Sequence, residues 1–495
     1  MSNVPPPVVE TTAGRVRGLW RDDSAAFLGI PFAEPPVGER RFAAPVPHAP
    51  WEGVREATAY GATPQRVALA EVTAIPEPSI PGDSTLNVNV FTPAPGDTGA
   101  RLPVLVYIHG GGFVAGSPAS PWYDGAAFNR DGVVTVSVSY RLGFDGFGWI
   151  EDAPANRAVL DWLLALQWVR DNVAQFGGDP DDVTIAGQSA GGGAALTLLA
   201  VPRATGLFRR AISISGAAGG VAQADAEALG RRMAALAGVE PTRAGFAGVD
   251  EATILTLQAQ ATAPEGVADD PLAGIGALVS GGLTWSPVVD GDLLPAPVLD
   301  AFRQGAGRDK PLLLGATDQE FTAALTPFRE QLAAVPVAGI LASFGVPAAT
   351  IAAYADTHPD TGTADLIGQF VTDTLFRAPA LAISLARAEA AAPTWLYRFA
   401  WPSGVSGSAT HCLDVPFWFD GLDRERVDAL AGDNPPQRLA DDVHGAAVAF
   451  IRSGEPGWAA FAADRTAFVF DTPSHAEQGA YADAAALLEP IAASS

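Results

Sequence analysis

A single cysteine, a single lysine and two methionines in 495 residues mark this chain by what it leaves out. With only Cys412 there can be no intramolecular disulfide and no cysteine cluster for a metal, so stability has to come from a buried core. Lys310 is the sole lysine, the other basic side chains are arginine, and acids outnumber bases 55 to 30. The formal charge of -25 repels phosphates and argues against nucleic acid and anionic membrane as partners. The start, Met1 to Pro7, has neither a basic patch nor an apolar stretch of signal-peptide length, which predicts a cytoplasmic protein. One uncharged stretch, Leu332 to Ala355, has the length of a membrane span, but Pro336, Gly339, Gly345 and Pro347 break it into what reads as short buried or half-buried helices.

What is present is a globular composition, 48% hydrophobic and 17% charged. Val104 to Ile108, Val133 to Val138, Val183 to Ala186, Ala211 to Ile214, Pro311 to Leu314 and Trp395 to Phe399 read as mostly buried strands. Helical patterns separate them. Asn156 to Phe176 carries apolar residues on one face and stops at Gly177-Gly178. Strand, helix, strand in succession predicts an α/β fold with a parallel sheet and helices on its faces. Two stretches interrupt the alternation, 223–273 and 321–387, both largely helical; neither contains a linker, so the whole chain, 1–495, reads as a single domain with two helical excursions.

Gly187-Gln188-Ser189-Ala190-Gly191 follows one of these strands and precedes a small-residue helix. A strand, G-x-S-x-G and a helix force a sharp turn in which bulky neighbours would clash, and the turn holds the serine hydroxyl up at the edge of the sheet. In a chain with 53 glycines the pentapeptide alone is weak. A second motif adds weight: directly after Val104 to Ile108 comes His109-Gly110-Gly111-Gly112-Phe113, a glycine run able to bring backbone N–H groups close to a ligand and aim them at one point. A nucleophilic serine and an anion cradle, each behind its own strand, point to ester or amide hydrolysis.

Further segments accompany these motifs. They include Gly29-Ile30-Pro31-Phe32-Ala33-Glu34-Pro35-Pro36-Val37-Gly38 with Arg41-Phe42, Leu86-Asn87-Val88-Asn89-Val90-Phe91, Tyr140-Arg141-Leu142-Gly143, Ala165-Leu166-Gln167-Trp168-Val169 and Phe176-Gly177-Gly178-Asp179-Pro180. Taken in order, and nearly end to end, the chain resembles the type B carboxylesterase family, which includes cholinesterases and bacterial p-nitrobenzyl esterases. The resemblance implies an α/β-hydrolase fold whose helical excursions wall an active-site gorge. In that fold the catalytic groups follow in the order serine, acid, histidine. Of the six histidines, His411 follows a late strand and sits in His411-Cys412-Leu413-Asp414-Val415-Pro416-Phe417, which resembles the family's catalytic histidine loop. His48 precedes the serine, His109 belongs to the glycine loop, and His358, His444 and His475 lie in unlike segments.

The orienting acid belongs in Gly315-Ala316-Thr317-Asp318-Gln319-Glu320-Phe321; the family pattern selects Glu320, with Asp318 as the rival. The resemblance further implies an oxyanion hole from the N–H groups of Gly111, Gly112 and Ala190, and no metal or cofactor. Gln188 departs from the glutamate often found before the nucleophile, and Phe321 from the usual glycine after the acid. Ser215 resembles a second serine that hydrogen-bonds near the triad. Phe113, Trp285, Phe321 and Phe370 are candidate pocket walls, with the hydrophobic core as the alternative for each. The expected partner is a small, neutral, moderately apolar ester, aryl or alkyl. Aryl carbamates are the alternative, and a lipase or a non-catalytic binding homologue are minor ones.

Overall fold

The alternation of buried strands and amphipathic helices closes, in the computed structural model, into an eleven-stranded sheet. Residues 5–64, 73–217, 219–263 and 271–488 are described; both chain ends, and residues 264–270 of the first expected excursion, lie outside them. In chain order the strands are β1 (Leu19–Arg21), β2 (Ser24–Pro31), β3 (Asn87–Thr92), β4 (Leu102–Ile108), β5 (Val134–Val138), β6 (Gly178–Gln188), β7 (Arg210–Ile214), β8 (Leu312–Thr317), β9 (Thr394–Phe399), β10 (Ala467–Phe470) and β11 (His475–Glu477). In space they run β11-β10-β9-β8-β7-β6-β4-β5-β3-β2-β1. Every neighbouring pair from β5 across to β10 is parallel, and the margins are antiparallel.

The runs expected as strands are β4 to β9. Strands β5, β7 and β8 are buried along their whole length, as parallel strands covered on both faces must be. Strands β1, β2, β10 and β11 were not foreseen, nor was a separate three-stranded sheet formed by Val8–Thr11, Gly14–Arg17 and Val54–Glu56. Apart from Ser24–Pro31, an apolar run without alternation, these are three or four residues long, too short for a period to stand out.

Helix α1 (Arg157–Asn172), extended by a 3₁₀ turn over Val173–Phe176, stops at Gly177, whose φ of 81° ends it as the sequence pattern requires. Helix α2 (Ala190–Ala200) is buried on every side, and its small first residues let it lie hard against β6 and β7. The first excursion contains helices Gln223–Ala237 and Glu251–Thr262, and a further helix, Pro271–Gly281, runs on past its expected end. In the second, helix Arg329–Leu332 leads into the uncharged stretch, which is broken into Val337–Ser343 and Ala348–Asp356, with Thr363–Thr372 following. Among the described residues no helix is long and apolar enough to cross a membrane.

Register decides where the chemistry can sit. Gly187 of β6 pairs with Ile108 of β4 and with Ser213 of β7, and Ile214 of β7 pairs with Gly315 of β8. The carboxyl ends of these central strands therefore finish level with one another, and the loops that leave them share one edge of the sheet.

Candidate active site

The turn between β6 and α2 explains its own glycines. A Cβ at Gly187 would lie 2.3 Å from the Gly191 carbonyl carbon, and one at Gly191 would lie 2.0 Å from the Ile108 carbonyl oxygen. Ser189 between them is held at φ 58°, ψ -123°, a strained conformation for a residue with a side chain. Its amide donates to Ile214 O at 2.8 Å, so the adjacent strand fixes the turn. The strain presents Oγ beyond the strand end instead of burying it in α2.

Two loops stitched together bring it a base and an acid. Behind β8, the amides of Asp318 and Gln319 donate to Phe399 O (3.0 Å) and Ala409 O (3.0 Å), and the amide of His411 donates back to Glu320 O at 3.2 Å. His411 Nε2 consequently stands 3.0 Å from Ser189 Oγ. Its Nδ1 makes a short hydrogen bond to Glu320 Oε2. The other oxygen, Oε1, accepts from the Thr317 amide at 2.9 Å, and the Glu320 side chain is fully buried. Burial of the ring works against its protonation, yet Cys412 beside it and the Glu320 carboxylate outweigh that and hold the imidazole well above its ordinary value. Asp318 is turned elsewhere: its carboxylate takes Arg398 Nε at 3.1 Å and Nη2 at 2.7 Å.

The glycine run passes beside the same serine: a Cβ on Gly110 would lie 3.2 Å from Ser189 Cβ. Gly111 adopts φ 111° and Gly112 φ 59°; a Cβ on Gly111 would sit 2.3 Å from Ala115 O, which accepts no side chain there. His109 supports this loop. Its Nδ1 donates to Gly110 O at 2.8 Å, its ring stacks on Tyr140, and Tyr140 OH donates to His109 O at 2.9 Å. The amides of Gly111 and Gly112 donate to no described residue. That of Ala190, in the first turn of α2, has no carbonyl one turn earlier in its helix, and the helix dipole adds positive potential there.

The chain matches the carboxylesterase family model over residues 5–466. The chain belongs to the carboxylesterase family. It is 34% identical over 465 residues to the para-nitrobenzyl esterase of Bacillus subtilis, covering 91% of this chain and 90% of that one. It is 35% identical over 488 residues to the phenmedipham hydrolase of Pseudarthrobacter oxydans, covering 92% and 93%. A crystal structure of a Geobacillus stearothermophilus carboxylesterase superposes with a TM-score of 0.83 at 33% identity, covering 97% of this chain and 99% of that one. This carboxylesterase thus has the α/β-hydrolase fold and is a carboxylic ester hydrolase acting on small-molecule esters.

The remaining expected residues of the carboxylesterase separate on inspection. Gln188 is buried, and its Nε2 approaches His411 Nε2 at 3.3 Å. Ser215 follows β7 at φ 45°, but its buried hydroxyl makes no hydrogen bond to a described residue, so the expected bond near the triad is absent. Phe113 is 2% exposed and packs against Phe147 and Trp162, underneath the glycine loop. Trp285 meets Phe144 edge-on in a satellite cluster, and Phe370 meets Tyr354. These large rings are drawn into the core by the area they bury. Of the four candidate walls only Phe321 lies at the site, its ring centroid 5.9 Å from that of His411.

Four residues near the site went unrecognised in the sequence. Phe376 sits in a π-helical turn, Asp373–Arg377, with its ring 5.2 Å from His411. Val114 and Leu283 close around Gly112, 3.9 and 4.0 Å from where its Cβ would be. Asp414 is fully buried; its Oδ2 accepts from Tyr397 OH (3.3 Å) and Trp418 Nε1 (3.2 Å), while Oδ1 has no partner among the described residues. Burial, reinforced by Glu320, pushes its carboxyl up to about 7. As for metals, ligand atoms of His358, Asp373 and Asp483 lie within 4.8 Å of one another. Arg377 already pairs with both carboxylates, at 2.6 and 2.8 Å, and supplies the positive charge a cation would bring.

Proposed function

We propose that Ser189, His411 and Glu320 are the catalytic triad and that Gly111, Gly112 and Ala190 form the oxyanion hole of a serine esterase working through an acyl-enzyme. The observation that carries this reading is the continuous chain from Ser189 Oγ through His411 to Glu320, beside a glycine loop whose Gly111 and Gly112 amides donate to no described residue.

As Oγ attacks the ester carbonyl, His411 Nε2 takes its proton. Glu320 fixes the tautomer with hydrogen on Nδ1 and stabilises the imidazolium that forms. The carbonyl electron pair moves onto oxygen, and the three amides receive that charge, a lost donor costing about 10²- to 10³-fold in rate in comparable sites. Collapse of the tetrahedral intermediate breaks the bond to the alcohol oxygen, to which His411 returns the proton. Water then repeats the sequence against the acyl-enzyme, with His411 as base, and frees the carboxylic acid.

The substrate is a neutral, moderately apolar ester, in keeping with apolar Val114, Leu283, Phe321 and Phe376 around the site. Aryl carbamates are the second reading, favoured by the likeness to a phenmedipham hydrolase and by the same tetrahedral chemistry. We assign the chain to a single catalytic unit with helical excursions, and to the cytoplasm, where its one free cysteine would persist. A chain-length series of p-nitrophenyl esters beside an aryl carbamate tests the substrate. Faster turnover of the short esters than of the carbamate supports the esterase reading, and the reverse order transfers it to carbamates.

A further inference from the structure

The proton path just described dictates where the alcohol half of a substrate must lie. His411 Nε2 has to reach the leaving oxygen within hydrogen-bond distance, so the first atoms attached to that oxygen stand beside the imidazole. Beside the same imidazole ring in this chain is a pair of aromatic rings. Phe321 and Phe376 have centroids 5.9 and 5.2 Å from the His411 ring, and they stack on each other at 6.1 Å with planes 13° apart. Phe376 is almost buried, whereas Phe321 is partly exposed beside an imidazole that keeps 24% of its surface open. The partly exposed member of the pair, Phe321, therefore borders the imidazole that protonates the alcohol.

Both rings are held before any substrate arrives. The Phe321 amide donates to Thr372 Oγ1 at 3.1 Å, and Gly368 meets Thr322 so closely that a Cβ there would be 2.6 Å from Thr322 Cα. The turn carrying Phe376 is pinned by Asp373, which takes Arg377 Nη1 at 2.6 Å and Tyr354 OH at 2.6 Å. A fixed ring pair costs little ordering on binding, so its contact energy is available to the ligand.

We propose that Phe321, backed by Phe376, is a specificity-determining wall that stacks on an aromatic leaving group, making aryl-bearing alcohols the preferred alcohol half of the substrate. The proposal rests on the assignment of His411 as the acid that protonates the alcohol. Aromatic pairs in offset geometry gain enough over area burial alone to give about 2- to 12-fold discrimination.

Benzyl acetate and cyclohexylmethyl acetate make a suitable pair, since the alcohols are similar in size and acidity and differ in the π face. The wild-type enzyme is expected to favour the benzyl ester in kcat/KM, and Phe321→Leu to lower that ratio by about 3-fold or more, mainly through KM, while Phe321→Trp retains it. Binding of the free alcohols to unmodified enzyme provides a second readout: benzyl alcohol should inhibit competitively at lower concentration than cyclohexylmethanol. Equal inhibition by the two alcohols, or a ratio unchanged in Phe321→Leu, overturns the wall. A Phe321→Leu enzyme that loses activity equally on both esters, with an altered pH profile, assigns the ring to support of the imidazole and also overturns it. Failure of the catalytic reading is seen separately, as hydrolysis that survives Ser189→Ala.

Discussion

Gln188 directs its amide nitrogen at the same imidazole nitrogen that accepts the hydroxyl of its neighbour Ser189, 3.3 Å from His411 Nε2. An N–H donor at that place suits a neutral imidazole and faces a proton once His411 is charged, so the side chain opposes imidazolium where Glu320 favours it.

Exchanging that donor for a carboxylate reverses its sign. His411 already lies above its ordinary value, so the rise of kcat/KM with pH, as the base loses its proton, is expected above about 6.5. Gln188→Glu adds an anion beside the ring, stabilises the charged form and should carry the rise upward by about one pH unit. A pH profile of kcat/KM for both enzymes checks this; a rise displaced to lower pH would remove Gln188 from the electrostatics of the site.

The two loop acids should behave differently when neutralised. Glu320→Gln keeps the shape and loses the charge that sets the tautomer, with an expected fall in kcat of about 10³- to 10⁴-fold. Asp318→Asn gives up a part-buried ion pair with Arg398, so kcat should stay near normal at a cost of about 1 kcal/mol in stability. Steady-state kinetics and thermal melts of the two variants decide between them, and the opposite pattern would move the triad to Asp318.

Asp414 ties stability to pH. Its carboxyl lies at about 7 in the folded chain and near about 3.9 in an unfolded one. Between these values the native state holds a proton that the unfolded state has lost. Its contribution to stability is therefore full below about pH 4 and disappears as pH rises to about 7. Asp414→Asn keeps an acceptor for Tyr397 and Trp418 without the cost of ionising in the interior. The variant should gain on the wild type by about 1 to 4 kcal/mol at pH 8, with no such gain at pH 4. Denaturant melts at both pH values measure it; a variant relatively weaker at pH 8 would contradict the buried-acid account.

How much of this could be read from the sequence follows from how local each feature is. The elbow around Ser189 and the loop at Gly111 are written in adjacent residues, because steric demands within one turn select their glycines. Glu320 and His411 needed chain order and family likeness, since nothing beside Asp318 says which acid will face inward; the choice is made by loops paired through Phe399, Ala409 and His411. Phe376 and Leu283 carry no local mark at all, and Asp414, though it lies in the histidine loop, carries none of its burial. They reach the site through a π-helical turn, the segment that follows helix Pro271–Gly281 and a buried hydrogen-bond cluster, while the more conspicuous Phe113, Trp285 and Phe370 serve the core.

Acylation of Ser189 is open to direct observation by rapid-quench hydrolysis of p-nitrophenyl acetate, followed by mass analysis of the intact protein and its peptides. A burst of nitrophenol is expected, with one acetyl per chain on the peptide containing Ser189, and neither burst nor adduct in Ser189→Ala. Wild-type turnover persisting in Ser189→Ala, or an acetyl on another side chain that is required for activity, would contradict it.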